Sequence, residues 1–264
     1  MFTLEQDLTL MVSAAEKAGA IAHRYQTEGF KRLDDKASGD PFLTEADLAI
    51  DTALREALTA ARPTYGWLSE ETENDSSYLT AARSFVVDPI DGTRDFVEGT
   101  HEFAISIGLI EGGHAVAGVV FNPMKNHLVA GAVGLGTTLN GQAVTRRPAP
   151  AAPLADVIVS VSETRKNLWS PYQGSLTVRP VGSVAYKLGL VAAGLADATA
   201  SVVGKSFWDI CAGHALCVAA GLTVTDLDGT PIRYDSVTLR VGGIIAAPAP
   251  LHRQLAEVLH KKPA

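Results

Sequence analysis

The sequence predicts an α+β protein whose second half is mixed α/β. Three observations carry this. Apolar and small residues recur at spacings of three and four near the N-terminus. Short β-branched runs separated by tight-turn residues fill the middle of the chain. Beyond residue 154, such runs alternate with alanine-rich helical stretches.

Leu4, Leu8, Met11, Ala15, Ala18 and Ala22 share one helical face, which predicts a helix to about Gln26. Residues 28–42 are polar, carry Lys31, Arg32, Lys36, Gly39 and Pro41, and read as a loop or loose hairpin. Thr44 is a natural N-cap, with Glu45 and Asp47 in the first turn of a second helix that must stop before Pro63. A short strand from Tyr65 ends at the pair Glu70-Glu71, and residues 72–83 read as a surface connection. Residues 85–88 form a buried strand ending on a carboxylate, where Pro89, lacking an N–H, stops the ladder. A short helix from Thr93 closes at Gly99. Runs at 103–110, 115–121, 129–133 and 136–139 make an antiparallel meander, with turns at Glu111-Gly112-Gly113-His114 and Asn140-Gly141.

The proline- and alanine-rich stretch 148–153 reads as a semi-rigid linker. It divides the chain into an N-terminal α+β subdomain, 1–147, and a C-terminal α/β subdomain, 154–264. The latter has predicted strands at 156–161, 176–180, 197–202, 222–225 and 239–245. Helices are predicted at 181–193, 209–220 and 250–260, the first two ended by Gly194 and Gly221.

Composition sets the outer limits. A 264-residue chain that is 47% hydrophobic can bury a sizeable core. Lys and Arg number 22 against 29 Asp and Glu, a net charge of −7, which disfavours a nucleic acid polymer as partner. A small anionic substrate stays open, because a bound cation can reverse the local field. Cys211 and Cys217 offer neither a disulfide framework nor a zinc set and fit a reducing cytoplasm. Glu5 and Asp7 stand where a signal peptide would be basic, and no apolar stretch approaches the length of a membrane span.

The chemistry concentrates in Asp88-Pro89-Ile90-Asp91-Gly92-Thr93. Asp-Pro and Asp-Gly are ordinary turn pairs, and Asp-Pro-x-Asp alone is more often a plain loop than a metal site. After an apolar strand, however, the segment aims two carboxylates into one small volume. Gly92 lets the backbone approach a ligand, and the free N–H groups at Thr93 favour an anion. Two acidic ligands beside a phosphate seat suit metal-assisted phosphate ester hydrolysis.

This segment resembles the signature of the inositol monophosphatase superfamily, magnesium-dependent and lithium-sensitive phosphomonoesterases. Leu68-Ser69-Glu70-Glu71 resembles its upstream acidic motif. Trp208-Asp209-Ile210-Cys211-Ala212-Gly213, with Ala219-Ala220-Gly221, resembles the downstream one. The resemblance implies a layered α-β-α-β-α sandwich and a homodimer. It implies metal ligation by Glu70, Asp88, Asp91, Asp209 and the Ile90 carbonyl, with two or three Mg²⁺ ions or Mn²⁺ in their place, as an all-oxygen set favours. Glu70 and Thr93 orient the attacking water, and Asp47 supports Thr93. Asp91, Gly92, Thr93, Ser183, Lys205 and Asp209 meet substrate, and Lys36 falls where a family lysine can reach towards the metals. Val202 stands where inositol-specific members carry glutamate. Lys205 reads either as a surface lysine or as a seat for a second anion. Together with Arg94, Asp95 and Leu-Ser-Glu-Glu, it leans the reading towards the bacterial 3′(2′),5′-bisphosphate nucleotidase branch. Inositol 1-phosphate, fructose 1,6-bisphosphate and histidinol phosphate remain alternatives, as does a catalytically silent, metal-binding regulator. The seven histidines, His101 included, read as surface or structural groups.

Overall fold

The computed structural model describes residues 2–33, 42–146, 148, 150 and 155–260. Its first half runs α1 (Leu4–Glu28), α2 (Glu45–Ala61), β1 (Gly66–Ser69), α3 (Ser77–Thr80), β2 (Arg83–Asp91), α4 (Thr93–Glu98), β3 (Ala104–Glu111), β4 (His114–Asn122), β5 (His127–Ala132), β6 (Gly136–Leu139) and β7 (Gln142–Ala143). The second half runs β8 (Val157–Ser160), α5 (Val161–Arg165), β9 (Val178–Val181), α6 (Val184–Ala192), β10 (Ala198–Ser201), β11 (Lys205–Ser206), α7 (Phe207–Ala219), β12 (Thr223–Thr225), β13 (Arg240–Val241), β14 (Ile244–Ala247) and α8 (Ala249–His260).

β1 to β7 form one sheet in chain order, with β1 and β2 parallel and the remaining neighbours antiparallel. A second sheet has the order β12-β14-β10-β8-β9. Alternation along β2 sets the layers. Phe85 and Val87 face Met11, Ala15, Ile50 and Leu54 of α1 and α2, whereas Val86 joins Leu188, Cys211 and Leu216 of α6 and α7. The same middle helices bury Ile158, Val224 and Ile244 of the second sheet. The far face of that sheet packs Val157, Ala200 and Ile245 against Leu251, Leu255 and Leu259 of α8. The result is the expected α-β-α-β-α sandwich.

Two strand glycines set how close the middle layer comes. A Cβ on Gly108 would lie 2.6 Å from Cys211 Sγ, and one on Gly118 only 2.2 Å from the Ala212 carbonyl oxygen. Their bare backbones let α7 lie directly on β3 and β4. Ser106 Oγ, on β3, then donates to the Trp208 carbonyl at 3.2 Å, tying the start of α7 to the sheet.

Several boundaries differ from expectation. Pro89 does not end β2: pairing with β3 shifts register after Asp88 and resumes at Asp91, so the proline makes an irregularity rather than a stop. Residues 72–83 are more than a surface link, because α3 buries Tyr78, whose hydroxyl donates to the Ser236 carbonyl at 2.8 Å. The strand from 156 stops at Ser160 and turns at once into α5, a helix the sequence reading lacks. The stretch 239–245 splits between β13 and β14. Residues 28–42 have a hairpin base, with Leu33 N–H on the Leu43 carbonyl at 2.8 Å. Residues 34–41, Lys36 among them, and most of 148–153 lie outside the described residues. The first sheet is drawn from residues 66–143 and the second from 157–247. Among the described residues no helix is long and apolar enough to cross a membrane.

Candidate active site

The irregular end of β2 and the start of α7 bring acids together. Carboxylate oxygens of Asp88, Asp91 and Asp209 all lie within 4.8 Å of one another. Asp91 Oδ2 accepts the Ser183 hydroxyl and, at 2.5 Å, the Ala185 N–H. Asp209 is the third residue of α7 rather than its first, and in that place closes a capping box by accepting the Ser206 N–H at 2.9 Å. Asp88 Oδ1 is buried and has no hydrogen-bond partner. Such an oxygen is costly unless something neutralises it. An all-oxygen donor set with one oxygen orphaned fits a hard divalent cation.

The electrostatics agree. Burial, then the charges of Glu70, Asp91, Asp209 and Asp47, push the Asp88 carboxyl well above the usual carboxylate range. Burial and Asp91 likewise raise Asp209, against the Ser206 N–H, Lys205 and Arg240. Asp91 is raised by burial and pulled back by Ser183, Lys187, the Ala185 N–H and Lys205.

Glu70 stands outside the tight trio. Its N–H donates to the Val87 carbonyl at 3.2 Å, which sets it just past β1 and beside the end of β2. The residue is exposed, yet its carboxyl is pushed up, first by lost solvation and then by Asp209, Glu71 and Asp91. Asp51, which the sequence reading passed over, braces this corner. Its buried carboxylate accepts the Ser69 hydroxyl and, at 2.7 Å, the Thr72 hydroxyl, on either side of the acidic pair. Its signal was positional: Asp51 lies one helical turn after Asp47 on α2.

Asp47 performs the expected capping duty: its Oδ2 accepts the Thr44 N–H at 2.9 Å and the Thr44 hydroxyl at 2.5 Å, and Thr93 lies near enough to lower its carboxyl slightly. Burial outweighs those bonds and raises the Asp47 carboxyl to about 6. The Thr93 hydroxyl lies 3.1 Å from the Ile90 carbonyl oxygen.

Beside the acids opens a cleft of about 330 Å³, lined by Asp91, Gly92, Arg94, Ser183, Lys187 and Lys205 among others. Gly92 has φ 92°, and a Cβ there would sit 3.2 Å from both the Glu102 carbonyl oxygen and Ser183 Cβ. It leaves the six-residue α4 without a side-chain cap. Lys205 is buried and pairs with Glu163 Oε1 at 3.3 Å, so the surface-lysine alternative falls away. Lys187, absent from the sequence reading, is only 2% exposed. Its Nζ donates to the carbonyls of Ser183 at 2.6 Å and Val181 at 3.2 Å, and burial lowers its ammonium to about 8. A lone charge inside an otherwise apolar helix was the available clue. Arg94 stacks over the Phe42 ring, 4.5 Å from its centroid. Val202 gives its N–H to Glu163 Oε2 at 3.2 Å. Asp95 accepts the Thr100 hydroxyl at 3.0 Å. His101 is exposed, and its carbonyl serves Asn122 at 2.9 Å. A comparable cleft of about 370 Å³, lined by Tyr172, Asp226 and His260 among others, contains neither the acid trio nor the buried lysines.

Comparison with known proteins gives the same direction. The profile of the Inositol monophosphatase family matches residues 3–264. Inositol monophosphatase 2 of Saccharomyces cerevisiae is 34% identical over 236 residues, covering 82% of this chain and 80% of the relative. The 3′(2′),5′-bisphosphate nucleotidase CysQ of Escherichia coli is 32% identical over 230 residues, covering 83% and 90%. The structure of an inositol monophosphatase from Anabaena superposes with a TM-score of 0.81 at 26% identity, covering 98% of this chain and 97% of that one. The chain belongs to the inositol monophosphatase family, whose members are metal-dependent phosphatases.

Proposed function

We propose that this phosphatase hydrolyses a small metabolite carrying a second anionic group beside the reacting phosphate, with 3′-phosphoadenosine 5′-phosphate as the preferred ester. One observation carries the reading: a trio of carboxylates with one orphaned buried oxygen reaches, through Asp91, a single cleft that two buried lysines also line.

Asp88, Asp91, Asp209, Glu70 and the Ile90 carbonyl hold the cations, Mg²⁺ by the hardness of the donors and Mn²⁺ as a substitute. Bound there, such ions neutralise phosphate oxygens, acidify a water and stabilise the departing oxygen. The remaining work falls to the protein. Ser183 and the Ala185 N–H fix the Asp91 carboxylate, so one of its oxygens has a set direction. Asp47 holds Thr93, and the Thr93 hydroxyl with Glu70 orients the attacking water. The uncapped N–H groups after Gly92 grip phosphate oxygens through hydrogen bonds; in so short a helix the dipole adds little. Lys187 and Lys205 receive the second anion. No covalent enzyme intermediate is required.

Inositol 1-phosphate is the second reading, favoured by the likeness to the yeast inositol monophosphatase 2. Against it stands Val202, which offers no carboxylate to a sugar hydroxyl. Phosphate release with Mg²⁺, with lithium as inhibitor, tests both. The expected order is 3′-phosphoadenosine 5′-phosphate first, ahead of fructose 1,6-bisphosphate, inositol 1-phosphate and histidinol phosphate. A preference for inositol 1-phosphate overturns the substrate assignment. Metal binding without turnover of any ester favours a silent regulator. A homodimer belongs to the same reading, and sedimentation checks it.

A further inference from the structure

The lysine side of the cleft contains a carboxylate that no step above uses. Glu163 lies on the short α5 and is 1% exposed. Both of its oxygens are occupied. Oε1 accepts the Ser201 hydroxyl and pairs with Lys205 Nζ at 3.3 Å. Oε2 accepts the Trp169 indole N–H at 3.1 Å and the Val202 N–H at 3.2 Å. Three neutral donors from two places in the chain, Trp169 and the adjacent Ser201 and Val202, thus fix the carboxylate before the lysine reaches it. Trp169 is itself buried in the apolar cluster under the second sheet, so the anchor is rigid.

This arrangement is costly as a stability device. A buried carboxylate loses its hydration, and an apolar residue of similar size is often as stable. Its effect on the lysine is easier to read. An ammonium has three donors and a flexible stem, and alone would sample many positions. Among the described residues Glu163 is the one ion-pair partner of Lys205. One contact at a fixed point limits where Nζ can lie and leaves further donors for a ligand. Lys205 also lies close enough to Asp91 and Asp209 for its charge to reach both. Without Glu163, the lysine could swing towards those acids and lose its place at the cleft wall.

We propose that Glu163 is a positioning residue that sets substrate selectivity: it holds Lys205 at the cleft wall, aimed at the second anionic group of the substrate. The inference rests on the proposed preference for a doubly anionic ester, and Glu163 acts only through Lys205.

The test is a double-mutant cycle with Glu163→Gln, Lys205→Gln and the pair, measured in Mg²⁺ on 3′-phosphoadenosine 5′-phosphate and on inositol 1-phosphate. Glu163→Gln should raise KM for the bisphosphate about tenfold, the size of one charge-assisted contact made less well. The change in kcat should be smaller, and the KM loss on inositol 1-phosphate smaller as well. In the Lys205→Gln background, Glu163→Gln should add little to either KM. Additive effects of the two substitutions overturn the inference, as does a fall in kcat at unchanged KM. Thermal unfolding of each variant separates folding loss from misplacement, and Glu163→Asp, which keeps the charge, should recover part of the KM. The unmodified enzyme's preference between the two esters reports separately on the substrate assignment. If it favours inositol 1-phosphate, that assignment fails, and non-additivity of the cycle on inositol 1-phosphate still decides whether Glu163 works through Lys205.

Discussion

The two walls of the cleft are built on opposite principles. On the acidic wall, Asp91 lines the cleft and crowds against Asp88 and Asp209 behind it, with one buried oxygen unpartnered and all three carboxyls pushed towards their protonated forms. On the basic wall, Lys187 and Lys205 are each satisfied from within, by the Ser183 and Val181 carbonyls and by Glu163 respectively. The acidic wall is incomplete as polypeptide alone and needs a cation to settle its charge. The basic wall is settled by the polypeptide itself. Strained charge of the first kind is a candidate functional site in its own right; on the proposed function it is where the cation belongs, and the paired lysines are where the second anion is met.

That contrast can be broken from either side. The largest expected effect is at Asp91. Replacing it by Asn should abolish turnover and weaken Mg²⁺ binding measured by calorimetry; retained activity would remove its assigned role. Next is Thr93→Val, which leaves the carboxylate ligands in place and removes the hydroxyl proposed to orient the water. A fall in kcat of about 10²-fold with a much smaller change in KM is expected, the scale of a positioned water or proton-handling group. A change confined to KM would place Thr93 in substrate binding alone. On the basic wall, Lys205→Ala should cost a doubly charged ester about tenfold in kcat/KM and inositol 1-phosphate less. Equal losses would erase the distinction between the walls.

The smallest effect concerns the support both walls share. His214 on α7 is buried against the Tyr234 hydroxyl at 2.9 Å, and burial, then His114, lowers its imidazole to about 4. A histidine whose folded value lies below its ordinary 6.5 binds protons more readily when unfolded. Its contribution is complete above about pH 6.5 and declines as pH falls towards 4. Between pH 6.5 and 5.5 the native state should lose about 1 kcal/mol on this account. Denaturant unfolding at both pH values, compared with His214→Gln, gives the measurement. An identical pH slope in the variant would assign the acid lability to other groups.

How much of this was legible in the sequence follows from how local each feature is. Thr44 with Asp47 could be read because a capping box lies within one turn. The segment 88–93 could be read because its turn is written in Pro and Gly. The α-β-α-β-α layering came through family resemblance; periodicity gave only its helices and strands. Glu163 and Asp51 were harder to read, since each gains its meaning from partners far away in the chain: Glu163 from Ser201 and Lys205, Asp51 from Ser69 and Thr72. Lys187 bonds locally, to Ser183 and Val181, but its place beside Asp91 and Lys205 in the cleft comes only with the fold. α5 was missed because a strand-like run continues into it without a turn signal, with Ser160 making no side-chain cap bond. Pro89 misled because the loss of one N–H interrupts a ladder without preventing it from resuming two residues later.

The convergence of the acids on a cation is the claim on which the rest depends. Crystals of the protein soaked in Mn²⁺ and measured at the manganese absorption edge test it most directly. An anomalous peak within coordination distance of Asp88 Oδ1, shared with Asp91 and Asp209, is the predicted result. A fully occupied Mn²⁺ elsewhere, with no density between these three carboxylates, would contradict it.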